Sequence, residues 1–174
     1  MRMFKESGYT GAILEQEVFN KIEKKKYPHD MENYVNYKVS IKIAKDAQPY
    51  EDPSDPDPQF ANDLHATVAE LLKLEDYSSL RLYTAVGSHL DVYHSVDAFF
   101  ELDTDNGIIT VTLDVTKNIS KGEEHRADVV FQMPPDGLDP KLEEDKEQYK
   151  EKIDEVSQRV LDEIQNILNK NNRR

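Results

Sequence analysis

His94-Ser-Val-Asp-Ala-Phe-Phe-Glu-Leu-Asp-Thr-Asp-Asn-Gly-Ile-Ile-Thr-Val-Thr-Leu-Asp-Val-Thr-Lys-Asn118 is the stretch that decides the fold. Two apolar-rich runs, Val96–Leu102 and Ile108–Val115, flank Asp105-Asn106-Gly107. A tight reversal needs residues that tolerate positive φ, so Asn-Gly between two β-rich runs is a strong hairpin signal. Period-two geometry then sorts the side chains. On the second arm Ile109, Val111, Leu113 and Val115 share one face, while Thr110, Thr112, Asp114 and Thr116 share the other. On the first arm Asp97, Phe99 and Glu101 fall together. The hairpin therefore carries one acid near the open end of each arm, Asp97 and Asp114.

Upstream, Leu80–Val86 alternates and predicts a strand that stops at Gly87-Ser88, after which His89–His94 leads into the hairpin. Phe60–Leu74 places Leu64, Val68, Leu71 and Leu72 on one helical face; His65 beside them reads as a boundary histidine with a hydrogen-bond partner. Asp46–Gln59 contains Pro49, Pro53, Pro56 and Pro58 among acids. Proline fixes φ and removes donors, so this segment reads as a long exposed loop within one domain. Tyr34–Ala44 alternates, with Val35, Tyr37, Val39, Ile41 and Ile43 against Asn36, Lys38, Ser40 and Lys42. That predicts a half-buried strand, and its two lysines suit a sheet edge. From Thr10 to about Lys26, Leu14, Val18 and Ile22 recur at helical spacing. Thr10 is the expected N-cap, Lys24–Lys26 complement the helix dipole, and Pro28 ends the element.

Downstream, a polar loop leads to a short buried strand over Ala127–Gln132 and a turn at Pro134-Pro135-Asp136-Gly137. Asp139-Pro140 is expected to open the last helix, which runs to about Lys170 with Tyr149, Ile153, Val156, Val160, Ile164 and Ile167 in one stripe. A helix of that length can overhang a small sheet, so packing along the sheet and a homodimer seam both stay open. Helices set apart from hairpin-linked strands predict an α+β (mixed α/β) sandwich in a single domain spanning residues 1–174.

The 174 residues suffice for a proper core, and the periodic apolar positions argue against disorder. No run approaches the roughly 20 apolar residues of a membrane span, and the first residues lack the apolar core of a signal peptide. There is no cysteine, hence no disulfide framework and no thiolate metal site. A cytoplasmic protein is the expectation. The net charge of −13 repels nucleic acid and anionic membranes at long range and argues against simple DNA binding. It leaves room for a locally basic groove, and for a metal site whose carboxylates are part of the count. No glycine-rich phosphate loop and no Gly-x-Ser-x-Gly elbow is present.

If register allows Asp97 and Asp114 to meet, two carboxylates can bind Mg²⁺ or Mn²⁺, ions that prefer oxygen ligands, and activate water against a phosphate. From about Phe60 to Gln132 the chain resembles the PD-(D/E)xK superfamily, the restriction-endonuclease-like nucleases. Val96-Asp97 is similar to that family's first acidic strand, and Thr112-Leu113-Asp114-Val115-Thr116 to its second, where an acid-x-lysine pattern is expected. The resemblance implies a central mixed sheet with an acid-bearing hairpin and flanking helices. It also implies Asp97 and Asp114 as metal ligands, phosphodiester cleavage, and an acid from a helix, for which Glu15, Glu17 and Glu70 are candidates. Thr84, Ser88 and Asp91 lie near the expected strand ends. Two departures stand out. Thr116 occupies the lysine position, while Lys117 is one step on and reaches the same side only through a β-bulge; Lys121 is the other substitute. The family's second core helix has no room between Asn118 and Ala127.

Two readings follow. One is a metal-dependent nuclease-like protein using Asp97, Asp114 and Lys117, with nucleic acid as partner. The other is a non-enzymatic acidic interaction protein on the same scaffold, accessory to a phage or mobile element or mimicking DNA, with a protein partner. Separately, His89-x-Asp91-x-x-His94-x-x-Asp97 is dense enough in imidazole and carboxylate to raise zinc or iron binding, against the plainer reading that such groups hold loops together.

Overall fold

The computed structural model describes residues 11–27, 30–118 and 126–174. The hairpin is its centre. β2 (Ala98–Thr104) pairs antiparallel with β3 (Gly107–Thr116), with Ala98 opposite Leu113 and Thr104 opposite Gly107. Gly107 carries the positive φ of the turn, 118°, which explains the glycine. β1 (Leu80–Thr84) lies antiparallel on the other side of β2, and β4 (Val129–Gln132) joins β3 in parallel. The sheet order is β1-β2-β3-β4.

Alternation gives the sheet two faces. Leu82, Phe100, Val111, Leu113 and Phe131 belong to the main core, closed by α1 (Gly11–Phe19), α3 (Gln59–Leu71) and α5 (Lys146–Asn172). The stripe on α5 is spent there: Tyr149, Ile153, Val156, Val160 and Ile164 are all buried, and α5 packs on α3, β3 and β4. At the centre Phe131 stacks on Phe60, ring centroids 5.7 Å apart, and meets Phe19 edge-on at 6.2 Å. The opposite face is smaller. There Tyr83 stacks on Phe99 beneath Ala44 of α2 (Tyr37–Asp46) and Leu90 of α4 (His89–His94). Glu101, buried on this face, is paired with Lys45 of α2 at 2.8 Å.

Several expectations are corrected. The segment read as a strand over 34–44 is helix α2. Asn36 caps it, its side chain accepting from the Val39 amide at 3.1 Å. Alternation hid a helical face, since Ile41 and Ala44 turn inward while Val39, Lys38 and Lys42 stay exposed. The first helix is shorter than read. It stops at Phe19, where Asn20 takes a left-handed φ of 62°, and Lys24–Lys26 form a separate 3₁₀ turn rather than its last turn. Thr10, Pro28 and Lys121 lie outside the described residues. The last helix begins at Lys146, not at Asp139-Pro140. Asp139 instead accepts from the Lys141 amide in a local turn, and its own amide donates to Asp145. His89–His94 is a short helix, with Ser88 as N-cap.

The proline-rich loop is not simply exposed, because Ala47, Gln48 and Tyr50 are buried. Its physical task is at the edge of the sheet. Among the described residues β1 has only β2 as a strand neighbour, which leaves a row of backbone groups on its outer side. The Leu82 amide donates to the Pro53 carbonyl at 2.9 Å. The Gln48 side chain imitates a strand: its Oε1 accepts from the Thr84 amide at 2.9 Å and its Nε2 donates to the Thr84 carbonyl at 2.7 Å. His65 completes the edge, its Nε2 donating to the Leu80 carbonyl at 2.6 Å, which is the structural role expected of it. Among the described residues no helix is long and apolar enough to cross a membrane.

Candidate metal centre

Three acids from three separate elements converge where the hairpin opens: Glu15 of α1, Asp91 of α4 and Asp97 at the entrance to β2. One carboxylate oxygen from each lies within 4.8 Å of the others. The local sequence explains the convergence. Leu14 and Val18 anchor α1 in the core and leave Glu15 at its boundary. Ser88-His89-Leu90-Asp91 starts α4, the Ser88 hydroxyl accepting from the Leu90 amide at 3.2 Å. Gly87, at φ 84°, turns its amide back to donate to Asp91 Oδ2 at 2.8 Å. α4 then ends in a left-handed cap at Ser95, φ 56°, and the Val96 amide returns to the Leu90 carbonyl. This sharp reversal brings Asp97, six residues after Asp91, back to its side.

Asp97 is held hard. Its amide donates to the Leu113 carbonyl at 2.8 Å, and its carbonyl accepts from the Ala85 amide at 2.7 Å. Its Oδ2 accepts from the Val115 amide at 2.8 Å. Only 2% of the residue is exposed, so ionisation there is opposed by desolvation before any neighbour is counted. Burial, and then the charges of Glu15, Asp91 and Asp114, push its carboxyl well above the usual carboxylate range, against the single Val115 hydrogen bond. Burial raises Asp91 too, with Asp114 adding to it and the Gly87 amide opposing. Glu15 is pushed up to about 7, by burial first and then by Asp91 and Asp114.

Of the residues the sequence nominated, Asp97 is in this centre. Asp114 is beside it: one further step of the β2–β3 register sets it opposite Asp97, and its charge acts on all three carboxyls, but it is outside the close set. Lys117 follows the end of β3 and is half-exposed. The ladder from Gly107 through Thr116 runs without a bulge, so nothing within the strand re-aims Lys117 toward Asp114. Thr116 stays in the ladder opposite Gln132. Glu17 and Glu70 are exposed and stand apart from the group.

The histidines of the dense motif do other work. His89 is fully buried; its Nδ1 pairs with the Tyr27 hydroxyl and its Nε2 donates to the Asp30 carbonyl at 3.0 Å. His94 Nε2 donates to the Val35 carbonyl at 2.9 Å. Both pin the segment before α2, and neither joins the carboxylates. The donor set is thus oxygen only, which suits a hard divalent cation better than zinc. The sequence placed Asp91 near the expected strand ends and in the histidine-aspartate motif considered for zinc or iron, but not among the nuclease-type ligands. A usable signal was Ser88-x-x-Asp91, the pattern that opens helices, directly after a strand. Comparison with protein-family models, curated proteins and solved structures finds no match.

Proposed function

We propose that the chain is a metal-dependent nuclease-like protein acting on nucleic-acid phosphodiesters, with Glu15, Asp91 and Asp97 holding Mg²⁺ or Mn²⁺ on a restriction-endonuclease-like scaffold. The observation that carries the reading is the close approach of three shielded carboxylates from three elements. Burial first, and then the charges of neighbouring acids, raises their pKa values, a cost that a divalent cation would offset. The architecture supports the same reading: an antiparallel β1-β2-β3 meander, a fourth strand parallel to β3, and an acid on each arm of the central hairpin.

When bound, such an ion supplies charge neutralisation at a phosphate and a more acidic water. The chain's own part is positional. Asp97 is fixed by the Val115 amide and Asp91 by the Gly87 amide, so each keeps one oxygen oriented by backbone and another for a ligand. Asp114 adds negative charge from β3. Thr116, where the resembling family has lysine, can donate a hydrogen bond but brings no positive charge, so turnover is expected to be slow. That substitution, with the net charge of −13, favours the alternative of a non-enzymatic acidic interaction protein.

Titration calorimetry with Mn²⁺ separates the two. The nuclease-like reading predicts saturable uptake, weakened about tenfold or more in Asp97→Asn and in Glu15→Gln, because affinity at an oxygen site follows ligand charge. Cleavage of DNA or RNA in Mn²⁺ should disappear in Asp97→Asn. A wild-type protein that takes up no Mn²⁺ would overturn the reading in favour of the acidic interaction module.

A further inference from the structure

Charge is unevenly spread along this acidic chain. Residues 21–45 hold seven lysines against three acids, within a protein of net charge −13. The structure folds this segment around one small apolar cluster of Ile22, Tyr27 and Ala47, so the Lys24–Lys26 turn and α2 lie together. The Glu23 amide donates to the Ala47 carbonyl at 2.9 Å, tying the turn to the end of α2. Some of these lysines have internal duties: Lys45 pairs with Glu101, and Lys26 pairs with Glu23 and donates to the Gln48 carbonyl. Lys24, Lys25, Lys38 and Lys42 are exposed, and Lys38 and Lys42, four apart, form one ridge of α2.

At the start of the same helix, and in the segment before it, is a group of partly exposed rings. Tyr34 is 66% exposed and Tyr37 is 44% exposed. Tyr34 meets Tyr93 and His94 with ring centroids 5.6 Å away, and Tyr37 meets His94 at 5.8 Å. Tyr93 donates to the Met31 carbonyl and His94 to the Val35 carbonyl, so the underlying rings are fixed while Tyr34 and Tyr37 present themselves outward. Val92, 58% exposed, and Val39, 43% exposed, add apolar area on the same two helices. His94 lies three residues along α4 from Asp91, less than one helical turn from a member of the carboxylate group.

We propose that this face, Tyr34 and Tyr37 with Lys38 and Lys42, binds a single strand of nucleic acid and leads it toward the carboxylates. The inference rests on the nuclease-like reading for its destination but on separate residues for its binding. Lysines attract the phosphate backbone, and exposed rings stack on bases whatever their sequence. The stacking requires unpaired bases, since in a duplex both base faces are already covered. The local excess of lysine over acid in residues 21–45 reconciles nucleic-acid binding with an otherwise repelling surface.

The test is fluorescence anisotropy of a labelled oligothymidylate at low salt in EDTA, so that the carboxylate site plays no part. Saturable binding is expected that weakens with salt, and a hairpin duplex of equal charge should bind about tenfold more weakly. Lys38→Glu with Lys42→Glu should reduce affinity about tenfold or more, and Tyr34→Ala by several-fold. The chain has nine tyrosines and no tryptophan, so quenching of tyrosine emission by the oligonucleotide, diminished in Tyr34→Ala, reports stacking independently of the label. These variants lie on the surface, and circular dichroism checks that each is folded. Absent binding, equal binding of duplex, or affinity untouched by the lysine and tyrosine changes would overturn the proposal. So would a wild-type dimer in sedimentation that Tyr34→Ala dissociates, which would give the face to a second copy of the chain. Binding in EDTA without Mn²⁺ uptake would leave this face standing and remove the nuclease-like reading; Mn²⁺ uptake without binding would do the reverse.

Discussion

On the face of the sheet covered by α1, α3 and α5, contact is almost wholly apolar, whereas along β1 and beneath α2 and α4 buried polar groups are matched one to one. The first region tolerates exchange of one hydrocarbon for another, because dispersion and the hydrophobic effect ask only for volume and burial. The second region does not, because buried polar groups there depend on particular hydrogen-bond partners. Glu101 has Lys45, Thr112 has Asp128, and the Thr84 backbone has Gln48. The carboxylate group is the exception within the second region: Asp91 and Asp97 each take one backbone hydrogen bond, yet like charges face one another. That contrast, acids opposed on a side where other buried polar groups are paired, is what motivates the proposed cation site.

The largest effect expected on the polar side comes from Gln48. Replacing Gln48 with Ala strips partners from both the amide and the carbonyl of Thr84, each buried at the sheet edge. Leaving a buried backbone group unpaired costs about 1–3 kcal/mol, so Gln48→Ala should lose about 2–4 kcal/mol in urea denaturation. A loss below about 0.5 kcal/mol would mean that the loop lets water reach Thr84. The contrast between the two sides would then weaken at its strongest point.

The same contrast accounts for what the sequence made legible. Strand alternation in Ile109, Val111, Leu113 and Val115 and the helical stripe from Tyr149 to Ile164 both reflect burial against hydrocarbon, which leaves a period. Those elements were readable. Val35 to Ile43 has a period of two in its letters, but the Asn36 cap and the inward turn of Ile41 and Ala44 make it a helix; tertiary packing overrode local β-propensity. Gln48, pairing with a strand 36 residues away, leaves no local pattern at all. The carboxylate group was half-visible for the same reason. Asp97 follows from the hairpin, and Glu15 was one of three helix candidates. Asp91 joins through the left-handed Ser95, a conformation that serine seldom signals.

Glu15 tests the cost of burying an acid beside other acids. Its ordinary value of 4.5 is raised to about 7 in the folded protein. Below about pH 4.5 the carboxyl is protonated in both folded and unfolded chains, and its position costs nothing. Between there and about pH 7 the unfolded chain releases the proton while the folded chain keeps it, so stability falls as pH rises; above about 7 the loss is complete. In EDTA, Glu15→Gln should therefore gain on the wild type by about 2 kcal/mol between pH 5 and pH 7.5, after allowance for screening at a partly exposed group. Asp91 and Asp97 are shifted the same way and should leave a residual slope in the variant. Saturating Mn²⁺ should remove the slope in the wild type. A pH dependence identical in both proteins would place the strain elsewhere.

The smallest effect has the opposite sign and belongs to the apolar side. Ser157, in the middle of α5, is fully buried, and its hydroxyl has no hydrogen-bond partner among the described residues. A desolvated, unpaired hydroxyl is a cost, and serine is also a weaker helix former than alanine. Ser157→Ala removes both penalties and opens only an atom-sized gap, so it should raise stability by about 0.5–1 kcal/mol in thermal or urea unfolding. Thr112 carries a hydroxyl of similar burial on the other face, where it both donates to Asp128 and accepts from its amide. Thr112→Val should therefore destabilise where Ser157→Ala stabilises, although each change removes one buried oxygen. Opposite signs at the two positions would tie the difference between the faces to hydrogen-bond partnership rather than to depth of burial. Equal signs would leave burial as the whole account.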